Sequence, residues 1–404
     1  MRSKEKIITK IRLSKTNFLI CILFLLAMEI DSVPYLFRVS SQLISYFSLF
    51  LSAFLLLLIG KRRSISQSLI LIMIFFGWYI VTVFFHSPKN VFVALRQISS
   101  PLTIAILTEY YMPKKGWIIL NILQKLFLTL AIMDIVSILL FPGGLYATNL
   151  YWNNWLLGYK SARVRAVGIP GVMVAGINSI KEKNKLGYSF WFTSFIMIID
   201  AYLSEGTGGT VSLIIFSFIL FLLFVSKKEK SRKIFQRLMN PWIILATIIA
   251  LNFIFAIFQN YSIFEFIITV LLDKNMTLTN RNRIWVASLD AIRKSPIFGN
   301  GYISGANYIL MTGVRGGTQP HNLLLTIMVY MGIIGVVLYY LMVIKGIKMS
   351  NKDKPSYSTI VFMGIVAYMI FGIISFTFLA PYHYAFFVMI DYFSKYELSE
   401  VAHK

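Results

Sequence analysis

Long apolar runs recur along this 404-residue chain and constrain its fold more than any other feature. The runs at 41–60 and 66–85 each hold about twenty consecutive residues without a charged side chain. A helix needs ~20 largely apolar residues to cross a bilayer, because lipid offers no partner for an unpaired backbone group. The runs therefore predict an all-α fold, a polytopic integral membrane bundle of helices.

Composition excludes a water-soluble protein. Hydrophobic residues make up 57% of the chain and charged residues 14%, against about 45–50% and about 25% in soluble globular proteins. A net charge of +23 would indicate nucleic acid as a partner in a soluble chain. Here the Lys and Arg residues lie mostly in short clusters between apolar runs, where they orient spans in a membrane. No nucleic-acid partner is expected.

The apolar criterion predicts about twelve transmembrane helices in a single membrane domain, 1–404. The predicted spans are 17–37, 41–60, 66–85, 91–112, 116–141, 164–180, 186–204, 207–226, 241–259, 320–344, 357–380 and 382–394. With the N-terminus inside, the inner segments hold 26 Lys and Arg and the outer segments hold 12. This asymmetry favours cytoplasmic N- and C-termini.

The connection 260–319 is predicted to be one large extracytoplasmic loop. Within it, RNRIWVASLDAIRKSP starts at Arg281 and puts Ile284, Trp285 and Ser288 on one face at helical spacing. We expect an amphipathic helix along the outer membrane surface, unless it is only a lid that packs on the bundle. The glycines that follow predict a segment able to bend closely around a ligand.

The string TQPHNLLL opens the next span. Thr318 or Gln319 can cap the helix, and Pro320 suits its first turn, so that His321 and Asn322 follow at once. A helix N-terminus attracts phosphate and disfavours a protonated imidazole. His321 should therefore stay neutral, as a general base requires. A histidine that only satisfies the helix end is the alternative.

External arginines point to a similar site. Arg163 and Arg165 lie at the mouth of a short span broken by Gly and Pro, and Arg96 lies inside a weak span. Charged groups at membrane depth usually face a cavity or a partner. Converging guanidinium groups bind phosphate, whereas ion pairs with Asp200 and Glu205 are the alternative. No Asp, Glu or His cluster has metal-ligand spacing, so we expect no metal and no cofactor.

Three strings together resemble a known family. RNRIW (281–285), SPIFGNGY (295–302) and PHNLLLTIMVYMGIIG (320–335) resemble the C-terminal signature of the O-antigen polymerase/ligase superfamily, which includes the Wzy-type polymerases. RAVGIPG, which starts at Arg165, looks like the Arg-x-x-Gly segment of that family. The segment 203–210 departs from it, because LSEGTGGT lacks the arginine of a Ser-Arg-Gly-like turn.

The resemblance implies a membrane glycosyltransferase. It would be a polysaccharide polymerase that joins undecaprenyl-diphosphate-linked oligosaccharide repeat units on the outer face of the bacterial cytoplasmic membrane, making O-antigen, capsule or exopolysaccharide. The catalytic residues would be His321 as the base, with Arg165 and Arg283 at the leaving diphosphate. Asn322 would orient His321 or a sugar. The further residues expected to bind substrate are Arg163, Arg281, Arg96 and Asn322.

The same resemblance names the partners and leaves the acceptor open. The partners would be lipid-linked oligosaccharides, membrane lipid, and other assembly proteins such as a flippase or a chain-length regulator. A ligase, which moves the glycan from the lipid carrier to another acceptor, shares the signature. A flippase or transporter of lipid-linked saccharides is the other alternative, although it should show paired, similar halves.

Overall fold

The computed structural model describes residues 15–30, 32–61, 65–147, 153–183, 186–225, 240–257, 281–314, 317–350, 356–375 and 377–402. Within these ranges the regular structure is helical, with two isolated β-bridges in the 146–158 segment. The helices are α1 (Lys15–Ala27), α2 (Ser32–Phe37), α3 (Ser41–Gly60), α4 (Gln67–His86), α5 (Val91–Leu140), α6 (Ile169–Lys183), α7 (Tyr188–Leu203), α8 (Thr207–Val225), α9 (Pro241–Ile257), α10 (Arg281–Lys294), α11 (Gly305–Thr312), α12 (Leu323–Met349), α13 (Tyr357–Gly372) and α14 (His383–Ala402).

The helices confirm a polytopic all-α membrane protein. In the described ranges, five helical stretches are long and apolar enough to cross a bilayer, and four shorter helices are also apolar. The long stretches are Ser41–Gly60, Gln67–His86, Pro88–Leu140, Thr207–Phe224 and Leu323–Met349. The number twelve stays a prediction, as does the large loop at 260–319, of which residues 260–280, 315 and 316 lie outside the described ranges.

Several predicted spans have different ends in the structure. The span 17–37 is broken at Glu29, whose φ of 48° is left-handed, and continues as the short helix α2. The predicted spans 91–112 and 116–141 are present as two helical segments that meet at a kink at Lys115, two residues after Pro113, and are named together α5. Proline removes a backbone donor and kinks the helix that contains it. Helix α13 ends at residue 372 instead of 380, and α14 runs to 402 instead of 394.

The predicted span 164–180 begins with a wide turn. Val164–Gly168 is a π-helix, and α6 continues directly from it. Most side chains of this element are fully buried, among them Val167, Val172 and Ile177. Such π-turns occur mostly as single turns inside α-helices, frequently at functional sites. This predicted span, which Gly and Pro interrupt, is thus a core element of the bundle.

Helix α12 contains a break into which the loop 295–302 inserts. Gly332 has a φ of 63°, and a Cβ there would lie 2.2 Å from the carbonyl oxygen of Ile297. The Asn300 N–H donates to the carbonyl of Val329, 2.8 Å away. Non-helical backbone inside a membrane is tolerated where protein buries and pairs it. Gly299 and Gly301 also pack closely on backbone, that of Tyr330 and that of Thr82, and the expectation that the glycines after α10 bend around a ligand stays a prediction.

Polar pairs mark the two ends of the bundle. Lys345 and Asp391 form an ion pair at 2.6 Å, with Ser68 bonded to both residues, and all three were predicted near the inner side. Arg163 and Asp134, both predicted near the outer side, form another at 2.9 Å. Residues predicted on one side thus share one end of the bundle. Which end faces the cytoplasm stays a prediction.

Candidate functional site

Helix α10 carries the first part of the candidate site. Ile284, Trp285 and Ser288 are buried on one face, which confirms the predicted helix and its apolar side. The indole Nε1 of Trp285 donates to the carbonyl oxygen of Pro320 at 3.0 Å. Arg281 stands one turn before Trp285, on the same face of the helix. The bond to Pro320 therefore brings Arg281 to the turn that contains His321.

The turn at His321 has an unusual backbone. Its φ is 50°, a left-handed value that a non-glycine residue adopts at an energetic cost. The residue that caps α12 is Asn322, whose Oδ1 accepts from the Leu325 N–H at 2.9 Å. This corrects the expected cap at Thr318 or Gln319, and it puts His321 just outside the helix. The imidazole therefore projects from a turn that α12 anchors on one side.

Asn322 holds this turn and has no exposed amide for a sugar. The residue is 1% exposed. Its Nδ2 donates to the Oδ1 of Asn252 in α9 at 2.9 Å, and to the carbonyl of Ile373 after α13 at 3.0 Å. Of the two roles predicted for Asn322, the geometry fits the orientation of His321. It does not fit direct contact with substrate.

The electrostatic surroundings keep His321 neutral. Burial, together with the positive charges of Arg281 and Arg165, lowers the pKa of His321 to about 3. A protonated imidazole is disfavoured wherever water is excluded and cations are near. The two arginines therefore lie close enough to act on the ring. The residue is half-buried, not fully enclosed.

The two arginines reach His321 from different elements. Arg281 is the first residue of α10, and burial lowers its pKa from the usual value. Arg165 lies in the π-turn before α6, where its carbonyl oxygen accepts a bond from the Tyr368 hydroxyl at 2.6 Å. Two guanidinium groups beside a neutral imidazole can bind an anion and accept a proton next to it.

Arg163 lies elsewhere, although only two residues separate it from Arg165. It is 1% exposed, and its Nη1 lies 2.9 Å from Asp134 Oδ2 and 3.6 Å from Asp200 Oδ1. Its Nη2 donates to the carbonyl of Gly158 at 3.1 Å. A guanidinium that two buried carboxylates neutralise is not available to a substrate phosphate. The structure thus gives Arg163 the ion-pair role that was the alternative to substrate binding.

Arg283 and Arg96 stand apart from the pair around His321. Arg283 is exposed on α10, and no contact between it and His321 is seen in the described part of the chain. Arg96, in α5, is close enough to Glu29 and Tyr302 for its charge to act on both. The structure therefore brings together His321, Arg165 and Arg281. Arg283 and Arg96 lie outside this group.

Two residues near the site carry little sequence signal. Burial raises the pKa of Tyr159, the charge of Arg281 lowers it, and the charge of Glu205 raises it. Tyr159 thus lies close enough to Arg281 and Glu205 for both charges to act on it. Glu205 has a φ of 58° and sits in the turn between α7 and α8, which places the LSEGTGGT segment beside the candidate site. A lone Tyr in a loop gives no periodicity by which to find it.

One comparison with known families covers part of the candidate site. A family model described as O-antigen ligase matches residues 192–340, a segment that includes Arg281 and His321 but not Arg165. No curated protein and no solved structure is significantly similar to the chain. The matched segment also contains the motifs 295–302 and 320–335. The match of residues 192–340 to this family model confirms the resemblance of the chain to the O-antigen polymerase/ligase superfamily.

Proposed function

We propose that the protein is a polysaccharide polymerase of the bacterial cytoplasmic membrane. The family match gives a membrane function of the O-antigen polymerase/ligase type. Within that type, we assign the joining of undecaprenyl-diphosphate-linked repeat units at the outer face, for an O-antigen, a capsule or an exopolysaccharide. The observation that supports it most is the neutral His321 beside Arg165 and Arg281.

Each residue of this group has a part in the reaction. The acceptor hydroxyl attacks the anomeric carbon of the donor glycan, and His321 takes the hydroxyl proton. The bond from that carbon to the lipid diphosphate breaks, and the diphosphate leaves with the bonding electron pair. Arg165 and Arg281 stabilise the charge that develops on it, because fixed cations in a desolvated site are most effective there. The reaction as proposed needs no metal, and we expect inversion, as the resemblance implies.

Substrate binding should also strengthen the base. An imidazole with a pKa of about 3 is neutral but weakly basic, and a base is most effective when its pKa is near the working pH. A docked diphosphate neutralises Arg165 and Arg281, which removes two of the three causes that lower this pKa. His321 then becomes a better proton acceptor when the donor is in place. The site would couple proton transfer to substrate binding.

The remaining arginines favour a polymerase over a ligase. A polymerase holds two lipid diphosphates at once, whereas a ligase whose acceptor has no diphosphate holds one. Arg165 and Arg281 suffice for the leaving group, and we assign Arg96 and Arg283 to the diphosphate of the acceptor. Arg283 is exposed on the same helix as Arg281, so a second lipid-linked substrate can approach it.

Deletion of the gene tests the type of reaction. We expect long chains to disappear while a single lipid-linked repeat unit accumulates, because chain extension is lost and supply of the unit is not. Gel analysis of the lipid-linked and surface glycans measures this. Long chains that persist on lipid but do not reach their final anchor would instead identify a ligase. Repeat units that accumulate only on the inner face would identify a transporter.

The charge of Arg281 should set the pH dependence. In Arg281→Gln, the pKa of His321 rises from about 3 towards its ordinary value of 6.5, although burial still holds it below that value. Protonation then inactivates the base at a higher pH than in the unchanged protein. The limb of the unchanged protein lies near pH 3, so we expect kcat/KM, measured between pH 4 and pH 8 in liposomes, to show an acid limb only in Arg281→Gln.

Arg293→Gln is the matched control for this experiment. Arg293 lies on the same helix, is 78% exposed, and pairs with Asp290 at 2.9 Å at the surface. Exposed pairs of this kind contribute little to stability. Its profile should follow that of the unchanged protein. If Arg281→Gln shows no acid limb in this range either, the charge of Arg281 does not act on the catalytic base.

A further inference from the structure

The backbone around Arg165 lacks one of its regular donors. In the π-turn the Ile169 N–H donates to the carbonyl of Val164, five residues earlier. By the same pattern the carbonyl of Arg165 would receive the N–H of residue 170. That residue is a proline and has no N–H. The sequence thus removes the π-type donor at the very residue whose side chain belongs to the candidate site.

A side chain from another helix provides a donor at this point. The hydroxyl of Tyr368, in α13, donates to the carbonyl of Arg165 at 2.6 Å. The Tyr368 ring is fully buried, and it stacks on His383 with a centroid separation of 4.9 Å and an interplanar angle of 9°. The Nε2 of His383 is bonded to the Tyr339 hydroxyl at 3.0 Å. The Tyr368 hydroxyl is therefore held in place by the packing of its ring on His383 in α14, which is bonded in turn to Tyr339 in α12.

Helix α13 also touches the turn that carries His321. Its last residue, Gly372, packs so closely on Leu323 that a Cβ there would lie 2.9 Å from the Cβ of that leucine. The carbonyl of Ile373, just after α13, accepts from Asn322 at 3.0 Å. One helix thus holds the peptide of Arg165 and the cap of the His321 turn. A shift of α13 would change the distance between the base and the cation.

We propose that Tyr368 is a positioning residue for glycosyl transfer. Its hydroxyl fixes the carbonyl of Arg165, and with it the peptide plane from which the guanidinium projects towards the diphosphate. A misplacement of about 1 Å can lower a rate by about 10²-fold, because orientation is part of the barrier. This inference rests on the proposed function, in which Arg165 stabilises the leaving diphosphate.

Tyr368→Phe removes the hydroxyl and keeps the ring. We expect kcat for chain extension to fall by about 10- to 100-fold, with a smaller change in KM and an unchanged amount of folded protein. Tyr384→Phe is the control, because the Tyr384 hydroxyl is also buried and donates to a carbonyl, that of Phe378, at 2.8 Å. Equal effects of the two variants would overturn the proposal, since a general loss of packing would then account for both.

Coupling between Tyr368 and Arg165 is the sharper test. Arg165→Lys keeps the charge and loses the planar fork, so its activity is reduced but measurable. If Tyr368 acts through Arg165, Tyr368→Phe lowers kcat by a much smaller factor in the Arg165→Lys background than in the unchanged protein. The same factor in both backgrounds would overturn the proposal.

Different results would contradict the proposed function and the positioning role of Tyr368. Full activity of Arg165→Ala would remove Arg165 from the reaction altogether, whatever Tyr368 does. An inactive Arg165→Ala together with a Tyr368→Phe that resembles Tyr384→Phe would leave the proposed function in place and reject only the positioning role. The three variants thus separate a wrong site from a wrong positioning residue.

Discussion

His321→Asn should nearly abolish chain extension while the protein still folds. Asparagine tolerates the left-handed φ of 50° found at this position, so the substitution adds little backbone strain. The imidazole that accepts the acceptor proton is lost. General base catalysis contributes about 10²- to 10⁴-fold to a rate, and we expect kcat to fall within that range. Extension of lipid-linked repeat units by purified protein in liposomes measures the effect.

His86→Asn is the matched control for His321. His86 is exposed at the end of α4, and its Nδ1 lies 3.0 Å from the carbonyl of Thr82 in its own helix. Extension by this variant should match that of the unchanged protein. A His321→Asn protein that extends chains at a normal rate would remove the base from the proposed reaction. A higher KM with an unchanged kcat would give His321 a role in substrate binding instead.

Local patterns in the sequence predict the class of fold and half of the site. Apolar runs identify helices because lipid forces backbone groups to pair within a helix. The spacing of Ile284, Trp285 and Ser288 gives α10 and its buried face, both of which the structure confirms. The resemblance of 281–335 is confirmed as well. Each of these signals extends over a short stretch of chain, which is why a single sequence reveals them.

Contacts between elements that are distant in the chain could not be predicted from the sequence. Tyr368 bonds to Arg165 across 203 positions of the chain, and Asn322 reaches Asn252 across 70. No periodicity records such a pairing. The break at Gly332 is similar, because its cause is the loop 295–302 that inserts into α12. A single glycine inside an apolar run occurs in straight helices as well, so the sequence does not predict the break.

Arg163 and Arg165 show most clearly what the sequence cannot predict. Arg163 and Arg165 have the same residue type, and sequence assigns both to a diphosphate site. Arg163 directly precedes the π-turn that contains Arg165, and side chains two positions apart on a helix do not share a face. Arg163 meets Asp134 and Asp200, whereas the charge of Arg165 acts on His321. The ion pairs of Arg163 with Asp134 and Asp200, which join elements distant in the sequence, distinguish it from Arg165.

Arg163→Met should therefore reduce the amount of folded protein. The side chain has a similar length, but Asp134 and Asp200 would remain buried without a cation. Removal of one partner from a buried ion pair destabilises a protein by about 3–5 kcal/mol. We expect a large fall in the thermal unfolding temperature and in the amount of protein that fractionates as a single detergent-soluble species. Unfolding followed by tryptophan fluorescence of the purified protein measures the first.

A neutral version of the cluster should restore the protein. In Arg163→Met combined with Asp134→Asn and Asp200→Asn, no buried charge is left without a partner, and such replacements are often neutral or stabilising. The Leu157 N–H donates to Oδ1 of Asp134 at 2.9 Å, and the amide oxygen that Asp134→Asn introduces can still accept this bond. Recovery of the unfolding temperature would identify Arg163 as a structural cation. If Arg163→Met instead folds normally and loses activity per molecule, Arg163 binds the diphosphate, and its ion pairs are only the resting state of that site.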